Sequence, residues 1–105
     1  MLAVKYLHER KIIYRDIKPE NIMVLTNGYI KLIDFGTAKE IKDKTNSIIG
    51  TPQYMAPEVI MGDYYSFEID FWSIGICLYE FYCGNIPFGE SASDPLDIYV
   101  SIINW

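Results

Sequence analysis

Arg15-Asp16-Ile17-Lys18-Pro19-Glu20-Asn21 is the stretch on which the reading of this chain turns. Pro19 lacks a backbone N–H and clashes with a preceding helical turn, so the stretch is a loop rather than a helix. It sets a carboxylate, a cation and an amide close together, just ahead of an apolar run. Phosphoryl transfer asks for those groups: Asp16 to orient a hydroxyl and accept its proton, Lys18 to neutralise phosphate oxygens, and the Asn21 amide oxygen as a hard ligand for Mg²⁺. Taken alone, the stretch reads more readily as a charged surface turn.

Downstream, residues 22–25 and 29–33 predict two short strands. Thr26-Asn27-Gly28 joins them, and Asn-Gly supplies the positive φ angles of a tight hairpin. Asp34-Phe35-Gly36 follows the second strand. So short a turn puts Asn21 and Asp34 near each other, and Asp34 can bring a second oxygen ligand to the same point. An Asp before Gly also fits an ordinary turn cap. Residues 34–57 show no hydrophobic period and contain Gly36, Gly50, Pro52 and Pro57. They read as a long loop, of the kind that is functional or disordered. Residues 57–61 predict a short helix with Pro57 at its start and Gly62 past its end. Residues 68–83 predict a strongly apolar, buried helix stopped by Gly84, and Asp94-Pro95 caps and opens a last helix over 96–103. Upstream, Leu2, Ala3, Tyr6 and Leu7 form an apolar stripe at helical spacing. Both ends fall inside helices, which predicts a fragment or a truncated gene model.

The 105 residues suit one small domain, and 50% hydrophobic with 22% charged residues excludes a disordered tail. A net charge of −5 without any Lys/Arg run makes nucleic acid and anionic membrane poor partners, and a basic peptide a better one. The 15% aromatic content points to interior packing, or to a surface that a partner covers. Cys77 and Cys83 fall on different faces of the apolar helix, so neither a disulfide nor a metal pair is expected and the chain reads as cytoplasmic. Residues 1–11 are too charged for a signal peptide. Residues 71–83 are too short to span a bilayer and contain Glu80. His8 has no acid or nucleophile beside it in sequence and reads as structural or surface.

With these pieces in order, the chain resembles the eukaryotic protein kinase family. The resemblance runs through Tyr14-Arg15-Asp16 with Lys18 and Asn21, Asp34-Phe35-Gly36, Gly50-Thr51-Pro52, Ala56-Pro57-Glu58 and Asp70-Phe71-Trp72-Ser73-Ile74-Gly75, and covers essentially the whole chain. It implies an α+β, partial protein-kinase-like fold over residues 1–105: a mainly helical piece of the large lobe with a short β-hairpin. The small lobe that anchors ATP, and the closing helices, would lie outside it. The implied function is that of a serine/threonine kinase, using ATP and Mg²⁺ to phosphorylate proteins near basic residues. The isolated chain would have little activity of its own. The alternative is a catalytically inactive truncated piece that acts as a binding or decoy module.

The resemblance also implies roles. Asp16 is the catalytic base. Lys18 meets the transferred phosphate and points to the Ser/Thr branch. Asn21 and Asp34 hold Mg²⁺, and Met23 lies under adenine or in the core. Thr51 sits by Asp16 and Lys18 and helps to choose the acceptor. Arg15 and Lys39 form a pocket for a phosphorylated activation segment, with Ser47 as the phosphosite and Thr45 as the competing candidate. Tyr14 replaces the family's commoner His, as in the AGC group. The wording around the motifs is similar to cGMP-dependent protein kinases within that group. Glu20 and Glu80 then receive substrate arginine, or are respectively solvated and paired within the protein. Asp70, Trp72 and Gly75 are structural, with Asp70 bonded to the catalytic-loop backbone. Tyr14 and Phe35 stack, and Glu58 lacks its Arg partner.

Overall fold

The computed structural model describes residues 2–90 and 94–104. Helix α1 (Leu2–Glu9) leads to β1 (Ile12–Ile13), β2 (Ile22–Val24), β3 (Ile30–Leu32) and β4 (Lys39–Glu40). Helices α2 (Pro57–Ile60), α3 (Glu68–Cys83) and α4 (Pro95–Ile103) follow. The predicted hairpin is present, with Ile22 opposite Leu32 and Val24 opposite Ile30. Its turn is closed by Gly28 N–H to the Leu25 carbonyl at 3.0 Å, with Gly28 at φ 87°. Only a residue without Cβ takes that angle cheaply.

A second antiparallel pair, β1 with β4, was not foreseen. It uses part of the segment expected to be a featureless loop. The same segment holds a 3-10 turn at Pro52–Tyr54 and an isolated bridge between Thr45 and Tyr65. Strands of two residues carry no readable period, because their pairing is set by distant contacts rather than by propensity. Helix ends follow local chemistry more closely. Gly84 takes the left-handed angle that stops α3, and the Asp94 carboxylate accepts the Leu96 N–H at 3.0 Å to start α4.

Two apolar cores position the quoted loop. Tyr14 and Ile17 pack with Val4, Ile76, Cys77 and Ile102 in one. Ile13 packs with Ile41, Met55, Val59, Tyr65 and Ile69 in the other. Ile13, Tyr14 and Ile17 are thus anchors interleaved with the polar Arg15, Asp16 and Lys18. Each anchored Ile contributes roughly 1.5–3 kcal/mol. Apolar burial therefore holds the loop, and its polar side chains are half-buried between the anchors, Asp16 at 14% and Lys18 at 21% exposure.

The expectation that α3 is a buried helix is corrected. It buries Ile69, Asp70, Ser73, Ile76 and Cys77, while Phe71, Leu78, Phe81 and Tyr82 on its other side are exposed, Tyr82 at 95%. A helix that is apolar all round has no polar stripe by which sequence could tell its inner face from its outer one. The tyrosines divide likewise: Tyr14, Tyr54 and Tyr65 are buried, while Tyr29, Tyr64 and Tyr82 are not. Cys77 is buried and Cys83 exposed, and both are free thiols. No helix among the described residues is long and apolar enough to cross a membrane.

Candidate active site

The loop's conformation begins at Asp70, a carboxylate with no solvent exposure. Its two oxygens accept the backbone N–H groups of Tyr14 and Arg15, each at 2.9 Å. His8 Nε2 stands 2.8 Å from Asp70 Oδ2. The acid that His8 lacked in sequence is therefore supplied across the fold, and the histidine is structural. Arg15 takes a positive φ of 72°. That angle costs a residue with a Cβ about 1–2 kcal/mol, and the Asp70 bonds offset it.

Asp16, Lys18, Asn21 and Thr51 form one network. Thr51 Oγ1 donates to Asp16 Oδ1 at 2.7 Å and accepts from Lys18 Nζ at 2.9 Å. Lys18 Nζ also lies 3.7 Å from Asp16 Oδ2. Asn21 Nδ2 donates to the Asp16 carbonyl at 2.8 Å and to Asp16 Oδ2 at 3.3 Å. This fixes the Asn21 amide so that its oxygen is the end left for a cation. The ladder bond from Ile33 N–H to the Asn21 carbonyl, at 2.9 Å, carries the chain directly to Asp34. Asp34 also has a positive φ, 75°, and its Oδ1 accepts the Gly36 N–H at 2.9 Å. An amide oxygen and an exposed carboxylate are a donor set that fits Mg²⁺, which takes one or two protein ligands and keeps phosphate and water for the rest. Among the described residues, no group of three or more His, Cys, Asp or Glu forms a metal cage.

Two other titratable groups are excluded from the chemistry. Burial pushes the Tyr14 phenol up to about 12, and the neighbouring Asp16, Asp34 and Asp70 push the same way. Burial likewise pushes the Cys77 thiol up to about 12, with Glu80 and Glu20 adding to it. Neither is a base or nucleophile near neutral pH. The Tyr14 ring meets Phe35 as expected, with centroids 5.5 Å apart, but edge-on rather than stacked.

The residues expected to form an activation segment divide. Arg15 Nε donates to the Thr37 carbonyl at 2.7 Å, and Lys39 Nζ donates to Thr45 Oγ1 at 3.2 Å. Arg15 and Lys39 thus reach toward the same segment but share no contact. Ser47 is exposed, whereas Thr45 is 7% exposed and pairs with Tyr65. Met23 is 43% exposed, so the reading of it as plain core is corrected: its strand faces outward there. Glu58 is half-buried and has no ion-pair partner among the described residues.

Glu20 and Glu80 meet at an open groove of about 530 Å³, lined also by Thr51, Gln53, Tyr54 and Glu90. Thr51 belongs to both the groove and the Asp16 network. The Tyr54 hydroxyl donates to Glu80, which is therefore hydrogen-bonded within the protein as well as open to the groove. Burial first, and then this bond, hold the Tyr54 proton on. Sequence reasoning missed Tyr54, Tyr65 and Glu90. Glu90 stands next to Gly89 in an unpatterned stretch, and only the fold brings it to the groove that Glu80 lines.

Gly50 brings Thr51 to the loop. It sits at φ 125°, and a Cβ built there would lie 2.8 Å from the Arg15 carbonyl oxygen. In the full-length protein, Gly50→Ala is expected to cost about 1–3 kcal/mol, read as a lower thermal midpoint. Gly28→Ala is the control, with a positive φ but open space around it, and is expected to cost only about 1 kcal/mol. Equal losses would show that the approach to Arg15 is not tight.

A family model described as the protein kinase domain matches residues 1–102. The chain is 54% identical over 103 residues to the cGMP-dependent protein kinase of Plasmodium berghei, covering 98% of this chain and 12% of that protein. The cGMP-dependent protein kinase of Toxoplasma gondii is also 54% identical, over 98% of this chain and 10% of that protein. The cAMP-dependent protein kinase catalytic subunit of Arthrobotrys oligospora is 47% identical, over 97% of this chain and 20% of that protein. The chain thus spans between a tenth and a fifth of the length of these relatives.

Proposed function

The chain belongs to the protein kinase domain family, and from that premise we propose that the full-length protein is a serine/threonine kinase of the AGC type, acting in the cytoplasm on proteins near basic residues. The observation that carries this reading is the Thr51 hydroxyl bonded at once to Asp16 and Lys18. It joins the candidate base, the candidate phosphate cation and the substrate groove in one rigid unit. Free Cys77 and Cys83 accord with a reducing compartment.

In this reading a substrate Ser or Thr hydroxyl lies against Asp16. Its oxygen bonds to the γ-phosphorus of ATP as the bond to the β–γ bridging oxygen breaks. ADP leaves, and the hydroxyl proton passes to the Asp16 carboxylate. Lys18, whose Nζ lies 3.7 Å from Asp16 Oδ2, would neutralise the transferred phosphate. Asn21 and Asp34 would hold Mg²⁺, which supplies charge neutralisation at the phosphates. Met23 would lie under adenine, on the exposed side of the hairpin. These residues form a large-lobe surface, with the small lobe supplied by the rest of the full-length protein. Arg15 and Lys39 would receive phosphorylated Ser47, whose exposure leaves it open to a kinase. Glu20 and Glu80, on the groove beside Thr51, would take substrate arginine.

The test is transfer of labelled γ-phosphate from Mg²⁺–ATP by the full-length protein to a Ser peptide carrying arginines. Label is expected on Ser and absent from an Ala peptide, and the isolated 105-residue chain is expected to be inactive. Glu80→Gln is expected to raise KM for the arginine peptide about tenfold and to leave KM for ATP unchanged. No transfer by the full-length protein would leave the binding-module reading. Equal use of a peptide without arginine would remove the basic preference.

A further inference from the structure

Tyr65 lies outside the motifs and outside the proposed chemistry, yet it touches the activation segment at three points. Its backbone pairs both ways with Thr45, N–H to carbonyl at 2.8 and 3.0 Å. Its hydroxyl donates to the Ser47 carbonyl at 2.6 Å and accepts from Arg15 Nη1 at 3.4 Å. The ring is 2% exposed and sits in the core with Ile13, Met55 and Val59. A side chain locked in this way has little rotamer freedom left to lose when it makes those bonds. Arg15, at the other side of the phenol, is held by Thr37 and by Asp70 through its own backbone N–H. Its Nη2 has no hydrogen-bond partner among the described residues and is left for an incoming anion. The chain Asp70–Arg15–Tyr65–Ser47 therefore already joins the catalytic loop to the segment, with no phosphate needed to close it.

We infer that Tyr65 is a positioning residue that holds the segment around Ser47 against Arg15 before Ser47 is phosphorylated. Part of the ordering that a phosphate brings is then present beforehand. Phosphorylation adds charge to a segment already in place. This rests on the reading of Ser47 as the activation phosphosite. The tie itself runs to the backbone of Ser47, so Ser47→Ala removes the phosphosite and keeps the tie.

The experiment uses the full-length protein in two backgrounds, Ser47→Ala and Ser47 phosphorylated. Tyr65→Phe keeps the ring and removes the hydroxyl. It is expected to lower kcat/KM about 5–10-fold in the Ser47→Ala background, and less than about twofold when Ser47 is phosphorylated. Amide exchange over residues 45–50 is expected to quicken in the unphosphorylated variant while α3 stays unchanged. Equal losses in both backgrounds, no loss with Ser47→Ala, or unchanged exchange would overturn the inference. A measurement without any variant covers the case in which Tyr65→Phe loosens the core. In the wild-type protein, amides 45–50 are expected to exchange within about tenfold of each other with and without the phosphate, and a larger difference overturns the tie. If Ser47→Ala alone is as active as the phosphorylated protein, the phosphosite reading fails. The exchange data then still decide whether Tyr65 holds the segment.

Discussion

Asp70→Ala in the full-length protein is expected to lower kcat about a hundredfold while leaving ATP affinity within about twofold. Asp70 touches none of the groups proposed to meet ATP. It holds the N–H groups of Tyr14 and Arg15 and the His8 ring. Its removal leaves the buried Tyr14 N–H and the half-buried Arg15 N–H without partners, and Arg15 strained at φ 72° with nothing to offset the cost. The loop would then relax, and Asp16 would leave its place beside Thr51. Breaking a buried carboxylate network of this kind costs about 3–5 kcal/mol, so the thermal midpoint should fall as well. Turnover, ATP binding by calorimetry and thermal unfolding together check the prediction. Unchanged activity and stability would show that the apolar anchors Ile13, Tyr14 and Ile17 suffice to hold the loop.

Asp16→Asn acts chiefly on the proposed chemistry. It keeps the size of the side chain and one oxygen acceptor for the Thr51 hydroxyl, but loses the charge that draws Lys18, the second acceptor for the Asn21 amide N–H and the basicity proposed to accept a proton. Loss of a positioned general base costs about 10²–10⁴-fold. That loss is expected in kcat, with KM for peptide and ATP little changed and the thermal midpoint within about a degree or two. The two variants therefore differ in signature: Asp70→Ala lowers stability and turnover together, Asp16→Asn turnover only. A kcat within threefold of wild type for Asp16→Asn would remove Asp16 as the base.

Much of this was readable beforehand, because it is encoded locally. Gly28 and Gly84 act through their own left-handed backbone angles, and the Asp94 carboxylate through the Leu96 N–H two residues on. The adjacency of Asn21 and Asp34 follows from a short hairpin. What escaped sequence reading depends on contacts between distant residues. The β1–β4 pair is too short for a period. Tyr65 and Glu90 sit in stretches without pattern, and only the folded chain brings them to Arg15 and to the groove that Glu80 lines. His8 looked isolated because its acid lies 62 residues away. The exposed side of α3 was misread because Phe71, Leu78 and Phe81 are as apolar as the residues that face the core. Pattern distinguishes faces only where their chemistry differs.

The bond from Asp70 to the Tyr14 N–H spans 56 residues, and this has a consequence in time. A ribosome adds about 5–20 residues each second, so roughly 3–11 s pass between synthesis of the loop and synthesis of the carboxylate that shapes it. During that interval the Tyr14 and Arg15 amides are hydrated, and Arg15 is free to leave its costly backbone angle. The nascent loop has its full complement of polar side chains but no reason to hold them in register. Assembly of the site is thus delayed until α3 is made, and a stalled chain that ends before Asp70 would carry every residue of the loop without its shape.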